Sequence, residues 1–215
     1  MSKRIFVIHP TAMTLGSMRD AFARHWPEAR VFNLMDESLY DALDANGTIT
    51  PVIRRGVRGL LQYCVAAEAD GVVFNGTTFG PAIDEARAAI TIPVVKPTEA
   101  MAEQAVAAGR RIAILCTSKR AIPVLAKLVE DSAGGKPVTV TGHFVPEAQA
   151  LLAKGDAETH DRMVADAANA ITDCDVLVLG QISMATALPR IAERPNRPVL
   201  TSPDGTVLRL RALLS

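Results

Sequence analysis

Neither sign of charge is in excess in this sequence. Lysine and arginine together number 23, and aspartate and glutamate also number 23. Without a basic surplus there is no electrostatic footprint for a polyanion, and no nucleic-acid partner is expected. Long hydrophobic runs are lacking too. The opening stretch, MSKRIFVIHP, is too short in apolar residues for a secretory leader, and no later run approaches a bilayer span. Cysteine is sparse: three residues, at 64, 116 and 174, with no close pair. That pattern gives no zinc knuckle and no disulfide framework, and the expected compartment is the reducing cytoplasm, with no membrane association. Neither a GxGxxG turn nor a Walker lysine loop occurs, so a nucleotide-binding α/β protein is disfavoured. The histidines and acids show no metal-ligand spacing, and no metal or cofactor is expected.

What is present is core. Hydrophobic residues make up 49% of the 215 and charged residues 21%, the balance of a folded chain of one large or two small domains. The organising stretch is Gly71 to Pro81, GVVFNGTTFGP. An apolar strand there runs into a turn of small polar residues, Asn75-Gly76-Thr77-Thr78, and Phe79-Gly80-Pro81 opens a helix. A strand that delivers hydroxyls and bare backbone N–H groups to a helix start builds an anion site in α/β folds. The same construction returns about 104 residues later in DVLVLGQISMATA, 175–187, with Gly180-Gln181-Ile182-Ser183 in the turn. Two further echoes share nearly that offset: Arg4 to Ile8 with Arg111 to Leu115, and Ile92 to Pro97 with Arg197 to Pro203. Three matched strand ends in order predict an internal duplication.

Read in order, strands alternate with helices throughout, which predicts an α/β fold with parallel sheets flanked by helices. Expected strands are 5–8, 31–35, 71–75, 93–96, 111–116, 137–143, 175–180 and 198–201. Expected helices are 15–26, 50–69, 81–90, 98–109, 120–133, 146–153, 157–172, 183–193 and 203–213. Thr50-Pro51 supplies an N-cap and a proline at the first helical position. Residues 36–49, rich in Asp, Asn and Gly, show no clear period and read as the longest loop. The duplication divides the chain into one lobe of residues 1–97 plus 203–215 and another of 98–202. Ligands in such sheets sit beyond the carboxyl ends of strands. The polar tips to watch are therefore 9–11, 75–78, Lys96, 116–119, 181–183 and 201–202.

These tips resemble those of the aspartate/glutamate racemase superfamily, which includes hydantoin racemases, maleate isomerases and arylmalonate decarboxylases. The resemblance covers essentially the whole chain and rests on NGTTFGP (75–81), KPTEAM (96–101), HD (160–161), LGQISMA (179–185) and VLTSPDG (199–205). It implies two pseudo-symmetric α/β lobes with the site between them, a small-molecule carboxylate as ligand, cofactor-independent chemistry through an enediolate-like intermediate, and a homo-oligomer. Superfamily racemases use two cysteines, one per lobe, on opposite faces of a small carboxylic acid. A thiol serves because its pKa, about 8.5, can be drawn toward neutrality. Neighbouring hydroxyls and N–H groups hold the carboxylate. Here the first cysteine position falls at Gly76 and the second at Gln181, and neither residue can carry a proton at neutral pH. Arylmalonate decarboxylases likewise have glycine followed by two hydroxyl residues, but keep the second cysteine.

Each candidate has a functional and a plain reading. Asn75, Thr77 and Thr78 hold a carboxylate, or the threonines only cap the following helix. Ile182 and Ser183 line the second turn, where Ser183 binds ligand or caps. Gln181 bonds ligand, or satisfies loop amides. Thr117, Ser118 and Lys119 follow a strand where a decarboxylase offers a hydroxyl, and Lys119 is a cation or proton donor, or a solvated helix-start lysine. His9 is an acid or base, or a histidine bonded to loop backbone. Cys116 reads as a buried strand-end residue. His160 and Asp161 read as structural, since adjacent helical residues point about 100° apart. Three functions compete: a lyase or isomerase without the two thiols, a racemase carrying Gly76 by divergence, and a carboxylate-binding descendant without catalysis.

Overall fold

The computed structural model describes residues 2–194 and 197–215. Eight strands and nine α-helices alternate among the described residues: β1 (Arg4–His9), α1 (Leu15–His25), β2 (Arg30–Met35), α2 (Ser38–Asn46), α3 (Pro51–Ala66), β3 (Gly71–Phe74), α4 (Gly80–Arg87), β4 (Val94–Val95), α5 (Pro97–Ala108), β5 (Arg111–Cys116), α6 (Ala121–Ser132), β6 (Thr139–Phe144), α7 (Ala148–Ala153), α8 (Ala157–Ala170), β7 (Val176–Leu179), β8 (Val199–Thr201) and α9 (Ser202–Leu213). The strands form two parallel sheets of four, ordered β2-β1-β3-β4 and β6-β5-β7-β8. The α/β architecture expected from the sequence is present, and the order of one sheet repeats in the other. Residues Met1–Pro97 with Thr206–Ser215 make one unit and Thr98–Gly205 the other.

Strand composition explains the order. The central strands β1, β3, β5 and β7 are continuous apolar runs with little or no exposed surface, as a strand covered by helices on both faces requires. In the first sheet Phe6, Ile8, Val72 and Phe74 turn toward a cluster completed by Leu39 of α2, Ile53, Val57, Leu61 and Cys64 of α3, and Ile83 of α4. Ile5, Val7 and Val73, on the alternate positions, are equally buried. The second sheet has apolar clusters on both faces, one with Val164, Ala165 and Ala168 of α8 and one with Met101 and Ala105 of α5 and Leu125 and Val129 of α6. The edge strands β2 and β6 show mixed exposure. The outer strands β4 and β8 are short and each follows a proline, which suits an edge.

Three expectations are corrected. Residues 36–49 are not a loop: Ser38–Asn46 is helical. The packing that makes it so is tertiary. Leu39 is buried against α3 at Gly56, where an added Cβ would lie 3.1 Å from Leu39 Cδ2. Gly47, at φ +66°, ends the helix with its N–H bonded to Leu43 O. The helix expected at 183–193 is a 3-10 helix, Ile182–Arg190, which accommodates Pro189 within it. The helix expected from Pro81 is preceded by a 3-10 turn, Thr77–Phe79, so α4 begins at Gly80. Thr50 caps α3 as expected, its hydroxyl accepting from Ile53 N, with Pro51 leading the helix.

Candidate functional site

In each sheet the chain moves outward from β1 to β2, or β5 to β6, and then returns to the other side of the starting strand. The points of reversal lie between β1 and β3 and between β5 and β7, and the crevice at such a switch point is where open α/β sheets bind ligands. His9 and Asn75 end β1 and β3. Cys116–Lys119 and Gly180–Ser183 end β5 and β7.

In the first unit Asn75 N bonds Ile8 O at 2.9 Å, tying the turn to β1. Gly76 is buried, and a Cβ there would stand 2.9 Å from Phe79 Cδ2, 3.2 Å from Pro10 Cγ and 3.5 Å from Phe74 Cε1. Phe79 is fully buried and edge-on to Tyr40, with ring centroids 5.1 Å apart. Its ring fills the volume that a side chain at position 76 needs. Thr77 and Thr78 are exposed, and the cap positions of the 3-10 turn and of α4 are Gly76 and Phe79, so no hydroxyl caps either start.

His9 is buried and engaged on both ring nitrogens. Nε2 lies 2.9 Å from Asn33 Oδ1, while Nδ1 lies 2.6 Å from Thr14 Oγ1 and 3.2 Å from Asn75 Nδ2. Burial, opposed by the bond to Asn33, holds its pKa below the ordinary 6.5, so the ring is neutral at pH 7. Nε2–H then donates to Asn33, and Nδ1 accepts. Asn75 is 3% exposed, and its Oδ1 has no partner among the described residues. An acceptor buried that way costs about 1–3 kcal/mol unless something donates to it.

In the second unit the turn after β7 is pinned to the end of β5 twice: Gly180 N donates to Leu115 O (2.8 Å), and Thr117 N donates to Gln181 Oε1 (2.7 Å). Gly180 is there because a Cβ would meet Cys116 Sγ at 2.5 Å. The carbonyl half of Gln181 thus satisfies a neighbouring loop amide, while Nε2 has no hydrogen bond among the described residues. Ile182 and Ser183 are half-buried, Thr117 is buried, Ser118 is half-buried, and Lys119 is exposed. Cys116 is buried, and burial pushes its thiol up to about 12. Cys64, buried on α3, is pushed up to about 11, chiefly by burial. Neither thiol is poised to ionise near neutrality.

His160 and Asp161 do meet, against the expectation drawn from helix geometry. His160 points inward, fully buried, and the Asp161 carboxylate bends to its Nδ1 at 2.8 Å while accepting Thr186 Oγ1 at 2.7 Å. Thr186 also reaches Ser183 O at 3.1 Å, so α8 braces the start of the 3-10 helix after Gln181. The HD pair thus ties α8 to the 3-10 helix, a contact that helical spacing alone hid. Lys96, nearly buried, is bound by both oxygens of Asp84 at 2.8 Å. Among the described residues no group of three His, Cys, Asp or Glu side chains is placed to hold a metal ion, and no helix is long and apolar enough to cross a membrane.

Similar structures share this arrangement of strands and helices. Aspartate racemase of Picrophilus torridus superposes with a TM-score of 0.71 at 12% identity, over 99% of this chain and 94% of that one. An aspartate racemase homologue of Pyrococcus horikoshii gives 0.70 at 16% identity over 100% and 99%. Allantoin racemase of Klebsiella pneumoniae gives 0.68 at 20% identity over 99% and 88%. No curated protein matches the sequence. At these identities the structural likeness establishes the fold. The family follows from the sequence itself, whose residues 11–209 match the model described as Asp/Glu/Hydantoin racemase, and the chain belongs to that family.

Proposed function

We propose that this protein binds a small carboxylic acid at the carboxyl ends of β1 and β3. The carboxylate lies against the Gly76–Thr78 backbone and takes the Thr77 and Thr78 hydroxyls. The observation that carries this reading is the state of the turn. Its two exposed hydroxyls cap nothing and can both donate to a carboxylate; the buried Asn75 Oδ1 beside them is an acceptor, so it takes an N–H or O–H of the ligand and not its carboxylate. In the second unit the corresponding turn presents Gln181 Nε2 and Ser183. The chemistry is enediolate-forming and cofactor-independent, of the lyase or isomerase kind rather than two-thiol racemisation. Position 76 has no room for a thiol, and Cys116 is closed off and held protonated. A proton then comes from water, since His9 is neutral and spent on Thr14, Asn33 and Asn75.

A second reading, a carboxylate-binding descendant without turnover, draws on the same commitments: Gln181 Oε1 spent on a loop amide and His9 locked. Proton NMR in D2O with aspartate, glutamate, hydantoins, maleate and substituted malonates separates the two. Loss of an α-proton signal, or deuterium in a decarboxylated product, establishes catalysis. Ligand-induced thermal stabilisation with no exchange establishes the binding protein. Absence of both exchange and binding across the panel refutes the carboxylate site.

A further inference from the structure

His9 dictates which way the Asn75 amide is turned. With Nε2–H given to Asn33 Oδ1, Nδ1 is an acceptor, and Thr14 Oγ1 (2.6 Å) and Asn75 Nδ2 (3.2 Å) both approach it as donors. The amide therefore shows its donor end to the ring, and its Oδ1 is the buried end without a partner among the described residues. The fold does not require this cluster. By strand register the counterparts of Ile8, His9 and Asn75 are Leu115, Cys116 and Gly180. Gly180 N bonds Leu115 O at 2.8 Å, as Asn75 N bonds Ile8 O at 2.9 Å. The second unit closes the same junction with a thiol and a glycine, which cannot form such a cluster.

A proton added at Nδ1 meets an acceptor already in place. Nδ1–H donates to Thr14 Oγ1, and the Thr14 hydroxyl gives its own hydrogen to Thr11 O, 3.3 Å away. Asn75 Nδ2 then faces another donor. Exchanging the two ends of the amide removes the conflict: Oδ1 accepts Nδ1–H, and the unpartnered end becomes the NH2 group. The two ends are nearly equal in size, so the exchange needs no cavity. The groups that face His9 are Thr14 from the 3-10 turn before α1, Asn33 from β2 and Asn75 after β3, all uncharged. Among the described residues no ion pair reaches the ring. Asp36, just past β2, bonds His9 O through its N–H at 3.0 Å, and its carboxylate accepts from Ser38 Oγ at 2.6 Å.

We propose that His9 is a positioning residue for the Gly76–Thr78 turn: protonation at Nδ1 reverses the Asn75 amide, and binding of a carboxylate at the turn takes up that proton. The proposal rests on the carboxylate reading of the turn given above. With the ring neutral, the free end of the amide is an acceptor, which opposes a carboxylate. With the ring protonated, the free end is a donor and a positive charge stands behind the turn. Neither change requires the ligand to touch a buried atom. The turn follows Asn75 directly, and a Cβ at Gly76 would stand 3.2 Å from Cγ of Pro10, the residue after His9. A charge so close, with protein between it and the ligand, is screened far less than in bulk water. By reciprocity, the carboxylate strengthens the hold of His9 on its proton by the factor that the proton strengthens carboxylate binding.

The test uses full-length 15N-labelled protein, first without ligand. The 15N–15N coupling across the hydrogen bond from Asn75 Nδ2 to His9 Nδ1 is followed as pH is lowered from 7.5 to 5.5. The expected result is a coupling present while the ring is neutral and lost with the midpoint of the His9 ring titration. A coupling absent at pH 7.5, one that survives protonation, or a ring that stays neutral until the protein unfolds would overturn the proposal. Formate and aspartate, whose carboxylates stay ionised over this range, are then titrated at both pH values. Affinity is expected to tighten about fivefold or more at the lower pH. In His9→Gln, which cannot titrate, it is expected to stay flat, a difference that a merely structural role for His9 would not produce. Equal affinity at both pH values in the wild type would overturn the proposal and leave the carboxylate site standing. An amide that reverses while neither probe binds at either pH would instead refute the carboxylate turn, and the linkage with it, leaving the exchange as a property of the free protein.

Discussion

Replacing Gly76 by cysteine puts a thiol at the position where the resemblance to the superfamily expects the first cysteine, and the structure predicts what happens. Gly76 has φ −166° and ψ 76°, extended backbone that any residue adopts, so strain in φ is not the obstacle. Space is. The new Cβ stands 2.9 Å from Phe79 Cδ2 and 3.2 Å from Pro10 Cγ, both parts of buried side chains. Overpacking a closed site costs about 1–3 kcal/mol. Relief of glycine's unfolded-state entropy returns about 0.4–1 kcal/mol. The net cost for Gly76→Cys is therefore about 1–2 kcal/mol, or about 2–8 °C in Tm for a chain of this size. Phe79→Leu opens the space, so the double variant Gly76→Cys/Phe79→Leu is more stable than the sum of its parts, with a coupling of about 1 kcal/mol or more. Urea unfolding of the four proteins in the cycle measures this, and α-proton exchange in D2O reports whether the accommodated thiol works. Gly76→Cys unfolding at the wild-type midpoint, or additivity in the cycle, would refute the argument that Phe79 fills the place of the thiol.

Three further outcomes follow from single residues. Native protein at pH 8 should resist iodoacetamide, because all three cysteines are buried and Cys116 and Cys64 are pushed up to about 12 and about 11; labelling at the rate of an unfolded control contradicts this. His9 has a lowered pKa in the fold, so below the ordinary 6.5 the unfolded chain takes up a proton that the native ring refuses. Its stabilising contribution is complete above that value and is lost as pH falls toward the lowered one. His9→Gln should flatten this part of the stability–pH profile in chemical denaturation, and an unchanged slope sinks the assignment. Gln181→Leu deletes the acceptor of the Thr117 amide while leaving the β-strands intact, so it should loosen the turn and weaken ligand-induced stabilisation by any carboxylate that binds. Unchanged amide exchange at Thr117 would count against that bond.

The α/β class was legible because it rests on local statistics. Apolar runs such as Ile5–Ile8 and Val176–Leu179 can only be central strands, and the echoes at one offset displayed the repeated sheet before any contact was known. The turns at Asn75–Thr78 and Gly180–Ser183 were legible for the same reason, since a strand end followed by small polar residues is written in consecutive positions. The helix Ser38–Asn46 was not, because its helicity depends on Leu39 finding the bare backbone of Gly56 in another helix. The bond of His160 to Asp161 was hidden because the spacing rule describes where side chains start, not where a carboxylate can bend under the pull of Thr186. Residue types limited which groups could do chemistry, and the resemblance to the superfamily set its two expected cysteine positions at Gly76 and Gln181. Only the tertiary structure decided which groups were still free to act. It spent His9 on Asn33 and Thr14, Gln181 Oε1 on Thr117 and Asp175 on Arg111, and left Asn75 Oδ1 without a partner among the described residues. A hydrogen bond between residues 64 positions apart, as in Gln181 with Thr117, depends on the path of the chain between them, and no local pattern encodes that path.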